Sequence, residues 1–249
     1  MKKITILIPC YNEAKGVAKV IKNIPTGRLR KLGFKTEVIV IDNNSKDRTS
    51  QIARKAGARV IFEAKQGKGY AIITGFNSVP RDTDYVVMID GDNTYHANEM
   101  LRLIEPLENG FSDVIIGTRL AGRMNTGSMK MFNRTGNWLF TFLARTAYCG
   151  NVTDVCTGYF AWKMKVVDEL RKHIESDGFS IEMEMIAKMS RLGYSIFSVP
   201  ITYSNRSGKT SLRPVKDGVK ILHAWGRNLF WKPYAQGRKY TLNKAGQVK

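Results

Sequence analysis

Through the first 120 residues, short apolar runs that end in polar or acidic residues alternate with segments of helical spacing. Residues 4–8 form an apolar run that predicts a buried strand, and 13–24 then place Val17, Val20, Ile21 and Ile24 on one helical face. A second strand is predicted over 37–41, ending in Asp42-Asn43-Asn44-Ser45. It is followed by a helix over 47–56, a short strand over 59–62 and a helix over 68–79. The run Tyr85-Val86-Val87-Met88-Ile89 ends in Asp90-Gly91-Asp92, and a helix over 98–108 and a strand over 113–116 close the series. Uninterrupted apolar strands alternating with helices predict an α/β fold whose mostly parallel sheet is covered on both faces.

The second half has a different texture. Residues 129–148 are rich in large apolar groups, among them Phe132, Trp138, Leu139, Phe140, Phe142 and Leu143, with Lys130, Arg134 and Arg145 beside them. Strands are expected over 157–162 and over 195–203, the latter interrupted by Pro200, with helices over 166–173 and 182–192. A last helix over 214–231 opens on a proline, the favoured first helical residue. Its stripe is Val215, Val219, Leu222, Trp225, Leu229 and Phe230. The expected division is an α/β domain over 1–212 and a basic amphipathic helix and tail over 213–249.

Charge sharpens that contrast. The 249-residue chain has a formal net charge of +19. Residues 1–120 carry 19 Lys/Arg against 13 Asp/Glu, residues 121–249 carry 21 against 8, and no acid follows Asp217. A polyanionic partner is expected for the second half: nucleic acid, an anionic membrane or a phosphorylated substrate. Cys10, Cys149 and Cys156 show no metal-binding spacing, and an odd number argues against a disulfide framework, so a reducing, cytoplasmic setting is expected. No signal-peptide pattern opens the sequence, and no apolar stretch reaches the ~18–20 residues that cross a bilayer. Any membrane association is expected to be peripheral.

Asp90-Gly91-Asp92 is the strongest candidate for chemistry. Ligands of open α/β sheets collect outside the carboxyl ends of strands, and residues two apart in extended backbone point to the same side. Two hard carboxylates beside open positions suit Mg²⁺ or Mn²⁺ that also binds a diphosphate. The alternative is an acidic surface turn, since Asp-Gly is a common turn pair. Pro9-Cys10-Tyr11-Asn12-Glu13, at the end of the first strand, offers a ring and a carboxylate for a nucleoside, or a capped turn with Asn12 as cap. The polar run 42–49 ends the second strand in a similar way. Gly67-Lys68-Gly69 opens a helix without Walker spacing, so an ATPase is not indicated.

Taken in order, these segments resemble family-2 glycosyltransferases of the GT-A fold, a Rossmann-like nucleotide-sugar-binding architecture. The matching residues are Pro9-x-Tyr11-Asn12-Glu13, the loop 42–49, Gly67-Lys68-Gly69-x-Ala71, Asp90-x-Asp92 and Gly117-Thr118-Arg119. Further on come Asp154-x-x-Thr157-Gly158-Tyr159-Phe160, Gly178-Phe179-x-Ile181-Glu182-x-Glu184 and Arg206-x-Gly208. The likeness covers essentially the whole chain. It is strongest to the branch that makes dolichyl- or polyprenyl-phosphate sugars, the dolichol-phosphate mannose synthases and their relatives. The resemblance implies that Pro9, Tyr11, Glu13, Ile41, Asn43, Lys68, Asp90 and Gly91 hold the nucleotide sugar, and that Asp90 and Asp92 bind Mg²⁺ or Mn²⁺. It implies that Arg119, Arg134, Arg206 and Lys209 contact phosphate of donor or acceptor, a task suited to guanidinium groups. Asp92, Asp154 and Arg119 are the expected catalytic residues, with a structural role for Asp154 as the alternative. The chain departs from the family at two places. Gly208-Lys209-Thr210-Ser211-Leu212 has Ser211 where the mannose synthases have lysine, with Lys209 or Arg213 as replacement. Asn93-Thr94-Tyr95-His96 is one residue longer than the family's Leu-Gln-His. GDP-mannose, UDP-glucose and UDP-N-acetylglucosamine all stay open as donors.

The implied reaction is attack of a lipid monophosphate on the anomeric carbon, inverting it and expelling a nucleoside diphosphate. A phosphate monoester with a second pKa near ~6 is already largely ionised at pH 7, so positioning and charge stabilisation outweigh a general base. C-terminal amphipathic helices at the membrane interface are expected, pairing aromatic bulk with Lys and Arg, and place the protein at the cytoplasmic face. Three rivals remain: a family-2 transferase with a glycan or soluble acceptor, a nucleotidyltransferase on a similar sheet, and a nucleic-acid binder. The last is disfavoured because no nucleic-acid motif appears and two aspartates without a metal repel phosphate.

Overall fold

The computed structural model describes residues 1–148, 151–208 and 210–233. Its elements are β1 (Lys2–Cys10), α1 (Val17–Asn23), α2 (Thr26–Lys31), β2 (Phe34–Asp42), α3 (Thr49–Lys55), β3 (Arg59–Phe62), α4 (Lys68–Asn77), β4 (Tyr85–Met88) and α5 (Leu101–Glu108). They continue with β5 (Val114–Met124), α6 (Met131–Ala147), β6 (Phe160–Lys163), α7 (Met164–Leu170), α8 (Ile181–Arg191), β7 (Ile196–Tyr203) and α9 (Pro214–Asn228). Seven strands form one sheet in the order β3-β2-β1-β4-β6-β5-β7. All neighbours are parallel except β6, which runs antiparallel between β4 and β5.

Alternation along the strands divides the core in two. Leu7, Ile39, Ile41, Val86, Met88, Phe160 and Trp162 face a layer that includes Phe76 of α4, Leu170 of α7, Ile186 of α8 and Ile221 of α9. Ile6, Ile8, Val40, Val87, Ile89 and Ala161 face α1, α3 and α5 on the other side. A strand buried on both faces needs apolar residues at every position, which is why these runs lack the polar alternation of a half-exposed sheet. The chain leaves β1 toward β2 on one side and returns to β4 on the other. That reversal opens a crevice beyond the carboxyl ends of the three strands, the place where such sheets bind ligands.

Several elements differ from expectation. The first helix starts at Val17, because residues 13–16 form a turn in which the Glu13 carbonyl accepts from the N–H groups of Gly16 and Val17 at 3.0 and 2.9 Å. The short helix α2 has one buried residue, Leu29, and so no periodic stripe to reveal it. The strand β5 continues to Met124, well past residue 116. Pro200 lies within β7 rather than breaking it, because β7 is an outer strand where a missing N–H need not cost a ladder bond.

The last helix also departs from its predicted stripe. Ile221 and Ala224 are buried, while Val215, Val219, Leu222 and Phe230 are exposed. Trp225 turns toward α6 and donates its indole N–H to the Leu143 carbonyl at 3.0 Å. On α6, Phe132, Trp138, Leu139 and Phe142 are exposed, with Trp138 stacked on Phe142 at 6.1 Å between ring centroids, whereas Phe140 packs inward. Among the described residues no helix is long and apolar enough to cross a membrane.

Candidate active site

Each parallel strand at the switch point ends in a loop that bends sharply. Asn12, Asn44 and Asn93 all take left-handed backbone angles (φ 55°, 60° and 63°), which Asn tolerates better than most residues. The β1 and β2 loops are stitched together: Ser45 Oγ accepts from the Asn12 N–H at 3.0 Å, and Asn12 Oδ1 accepts from the Lys46 N–H at 2.7 Å. Asn43 reaches the next loop, accepting from the Gly67 N–H at 2.7 Å and donating to the Lys65 carbonyl at 2.6 Å. Asp42 is spent on its own turn, where it accepts from the Ser45 N–H at 2.9 Å and from the Ser50 hydroxyl.

These loops enclose a cleft of about 750 Å³. Pro9, Tyr11, Glu13, Asn43, Lys68, Asp90, Gly91, Asp92 and Arg206 all line it, so nine candidates from five sequence segments meet in one place. Gly91 is confined there, since a Cβ would run into Cys10 Sγ. Gly158 packs so closely on Asp90 that any side chain would occupy the carboxylate's position.

The floor is a chain of alternating charges. Lys68 Nζ lies 3.0 Å from Asp90 and 2.6 Å from Glu182. Arg206 lies 2.8 Å from Asp92 Oδ2 and also pairs with Glu13. Asp92 Oδ1 accepts from the Thr94 N–H at 2.9 Å and hydroxyl at 2.6 Å, which fixes the carboxylate and leaves Oδ2 turned to the cleft. Burial pushes the Glu13 carboxyl up to about 8, with Asp92 and Asp90 adding to the rise and Arg206 opposing it. Burial and then the neighbouring Asp90 raise Asp92. Lys68 stays charged because Asp90 and Glu182 outweigh its burial.

That crowding of carboxylates is what a divalent cation would relieve. Among the described residues no group of three or more His, Cys, Asp or Glu gathers around one point. The protein would therefore give Asp90 and Asp92 as oxygen ligands and leave the remaining positions to phosphate and water, a donor set that fits Mg²⁺ or Mn²⁺.

Four expected site residues lie elsewhere. Ile41 is fully buried among core side chains, where it packs beside Gly75. Asp154 is fully buried too, and accepts from the Arg119 N–H (2.8 Å), Nε (2.8 Å) and Nη2 (2.7 Å) and from Asn137 Nδ2 (2.7 Å). With its carboxylate saturated and Arg119 committed to it, this pair does not line the cleft but braces β5 against α6. Arg134 is exposed on α6 and does not line the cleft either. Lys209 lies outside the described residues. Glu184, another acid of the family motif, bonds Lys188 at 2.6 Å and the Ser176 N–H at 2.7 Å.

The structure adds residues that motif reading passed over. Gln66, Lys216 and Lys220 line the cleft, as do Phe179 and Arg213. Arg213, Lys216 and Lys220 fall on one side of α9 by helical spacing, a signal present in the sequence but masked there by its apolar stripe.

A model of glycosyl transferase family 2 matches residues 5–171, which takes in every strand of the switch point and both aspartates. The chain belongs to glycosyl transferase family 2. Among its relatives in that family, glycosyltransferase AglJ of Haloferax volcanii is 35% identical over 217 residues, 86% of this chain and 68% of that protein. The dolichyl-phosphate hexose transferase of the same organism is 32% identical over 218 residues, 88% of this chain and 90% of that one. Glucosyl-3-phosphoglycerate synthase from Mycobacterium tuberculosis, solved with Mn²⁺ and UDP-glucose, superposes with a TM-score of 0.70 at 21% identity, covering 94% of this chain and 81% of that chain. The family-2 chain thus has the GT-A glycosyltransferase fold.

Proposed function

We propose that this family-2 glycosyltransferase moves a hexose from a nucleotide sugar to a polyprenyl or dolichyl phosphate, with inversion, at the cytoplasmic face of a membrane that it touches peripherally. The observation that carries this reading is one cleft with two electrostatic ends. Asp90 and Asp92 stand at the carboxyl end of β4 with Arg206 beside Asp92, and Arg213, Lys216 and Lys220 line the same cleft from the α9 side. A transfer between two phosphorylated substrates needs both. The dolichyl-phosphate hexose transferase to which the chain is similar supports the lipid acceptor, and the Mn²⁺–UDP-glucose complex of its structural neighbour supports the metal and the donor class.

In this reading Pro9, Tyr11 and Asn43 border the nucleoside, and Asp90 and Asp92 hold Mg²⁺ or Mn²⁺. When bound, that ion supplies charge neutralisation for the departing diphosphate. Lys68 and Arg206, released from the aspartates, turn to the phosphates. Their charges stabilise the leaving group and hold two anions at reacting distance, so that proximity and preorganised charge supply the main acceleration. No strong base is needed for a nucleophile already ionised at neutral pH.

The membrane side of the proposal rests on the exposed faces of α6 and α9. Trp138, Leu139 and Phe142 lie open to solvent on α6, and α9 adds Val215, Val219 and Leu222. An amphipathic surface with cations at its edge suits anionic headgroups.

The test is a panel of GDP- and UDP-sugars incubated with Mn²⁺ and dolichyl or undecaprenyl phosphate, read as glycolipid formed and nucleoside diphosphate released. Transfer to a soluble sugar with lipid phosphate untouched would overturn the acceptor assignment. Pyrophosphate as product would overturn glycosyl transfer.

A further inference from the structure

The charged groups of the cleft are unequally engaged. Lys68 and Arg206 each lie between two carboxylates. Three further cations line the same space from the α9 side, all exposed: Arg213, Lys216 and Lys220. Among the described residues Lys220 has only a long contact, 3.7 Å to Asp177, and no ion pair involves Arg213 or Lys216. The one acid nearby on α9, Asp217, is occupied in accepting the Arg213 backbone N–H at 2.7 Å. Of the arginines expected for phosphate binding in this region, Arg119 is paired with Asp154, and Arg134 does not line the cleft. Among the described residues the cleft therefore has one cation set matched to internal acids and another with a single long contact, Lys220 to Asp177.

The helix also separates its surfaces. Ile221 and Ala224 enter the core. Gly218 approaches Phe140 of α6, and Trp225 bonds the Leu143 carbonyl. Arg213, Lys216 and Lys220 occupy the flank opposite α6, and Val215 and Val219 form the outward ridge next to them. At 3.6 residues per turn, a cation and an outward valine alternate along the helix within one side chain's reach.

We infer that Arg213, Lys216 and Lys220 form the subsite for the acceptor's phosphate monoester, with its hydrocarbon chain leaving the cleft over Val215 and Val219. The inference rests on the lipid-phosphate reading given above. Three cations suit a dianionic monoester, and their exposed position lets the head group enter while the chain stays on the apolar ridge. Metal and donor occupy the other end of the cleft.

The test uses geranyl phosphate, an acceptor short enough to be used without a membrane, so that attraction of lysines to a charged vesicle does not enter. Expected for K216Q/K220Q is a rise of about tenfold in KM for geranyl phosphate, the loss of roughly one charge-assisted contact, with Mn²⁺-dependent binding of the nucleoside diphosphate unchanged in calorimetry. K216R/K220R restores the wild-type KM. Lys→Gln on an exposed helical surface keeps helix propensity, and an unchanged thermal midpoint verifies the fold. V215S/V219S is expected to raise KM for geranyl phosphate and to leave that for methyl phosphate unchanged. An unchanged acceptor KM in K216Q/K220Q, with wild-type protein active on geranyl phosphate, overturns the subsite and leaves the lipid-phosphate reading standing. A fall in nucleotide affinity instead would assign these lysines to the donor and overturn it as well. Wild-type protein inert toward every prenyl phosphate but active on a soluble sugar overturns the reading on which the subsite depends.

Discussion

Trp225 on α9 donates its indole N–H to the carbonyl of Leu143 on α6 at 3.0 Å, so the bulkiest residue of the last helix fastens two helices rather than facing outward. The exposed aromatics are on α6. Replacing Trp138 and Phe142 with Ser is therefore expected to weaken sedimentation with anionic vesicles severalfold and to leave the thermal midpoint within about 2 °C. Trp225→Ser is expected to destabilise the protein by about 2 kcal/mol, through lost burial and the lost bond between α9 and α6, seen as a lower midpoint without vesicles. The reverse pattern would move the membrane contact from α6 to α9.

Glu13 gives the apoprotein a pH signature. Its carboxyl is raised to about 8, so between the ordinary carboxylate range and that value the folded chain holds a proton that the unfolded chain has lost. Stability then falls as pH rises through this window. The thermal midpoint of metal-free protein should decline from pH 5 to pH 9, and Glu13→Gln should flatten the decline.

Asp92 has one oxygen fixed by Thr94 and the other turned to the cleft. Asp92→Asn preserves shape and removes the charge. A loss of about 100-fold or more in kcat/KM is expected, since removing metal-ion charge stabilisation costs several kcal/mol at the transition state, together with loss of Mn²⁺-dependent nucleotide binding. Circular dichroism should be unchanged. Full activity with Mg²⁺ would remove the metal site.

Glu184 is fully buried and binds Lys188, itself 1% exposed, while Arg227 of α9 reaches it at 3.1 Å. Although burial raises a carboxyl, the bonds from Lys188 and Ser176 hold this one below its ordinary value. The stability it contributes is complete above the ordinary carboxylate pKa and disappears as pH falls through the lowered one. Glu184→Ala takes the close carboxylate from a buried ammonium and leaves it the His173 carbonyl and a 3.8 Å contact to Glu175, so a loss of about 3 kcal/mol is expected, toward the lower end for broken buried pairs. The thermal midpoint should fall by about 6–12 °C.

Sequence pattern located the switch point because each strand there is buried on both faces and leaves an unbroken apolar run. Tyr11, Glu13, Asn43, Asp90 and Asp92 were visible because they stand directly at strand ends, where side-chain direction follows from the pleat. The pairing of Asp154 with Arg119 outside the cleft is not legible in the sequence, for a physical reason. A buried carboxylate–guanidinium pair and a substrate-binding pair use the same residue types, and only the count of bonds already made separates them. The reversed direction of β6 left no mark either, since a short, fully buried strand reads alike in both directions. On α9 both a cationic flank and an apolar ridge were encoded, but Trp225 counted with the ridge until its partner was known.

The pairing of Lys68 with Asp90 and of Arg206 with Asp92 has a thermodynamic consequence for the proposed metal site. An arriving divalent ion must displace two resident counter-ions, and each displaced cation keeps one carboxylate, Glu182 for Lys68 and Glu13 for Arg206, with its freed capacity open to a diphosphate. Ion and nucleotide are thereby made heterotropic partners: each is expected to bind weakly alone, and by linkage each raises the affinity for the other by the same factor. The proposed site would resist filling with free metal and close its charge balance only around the complete donor.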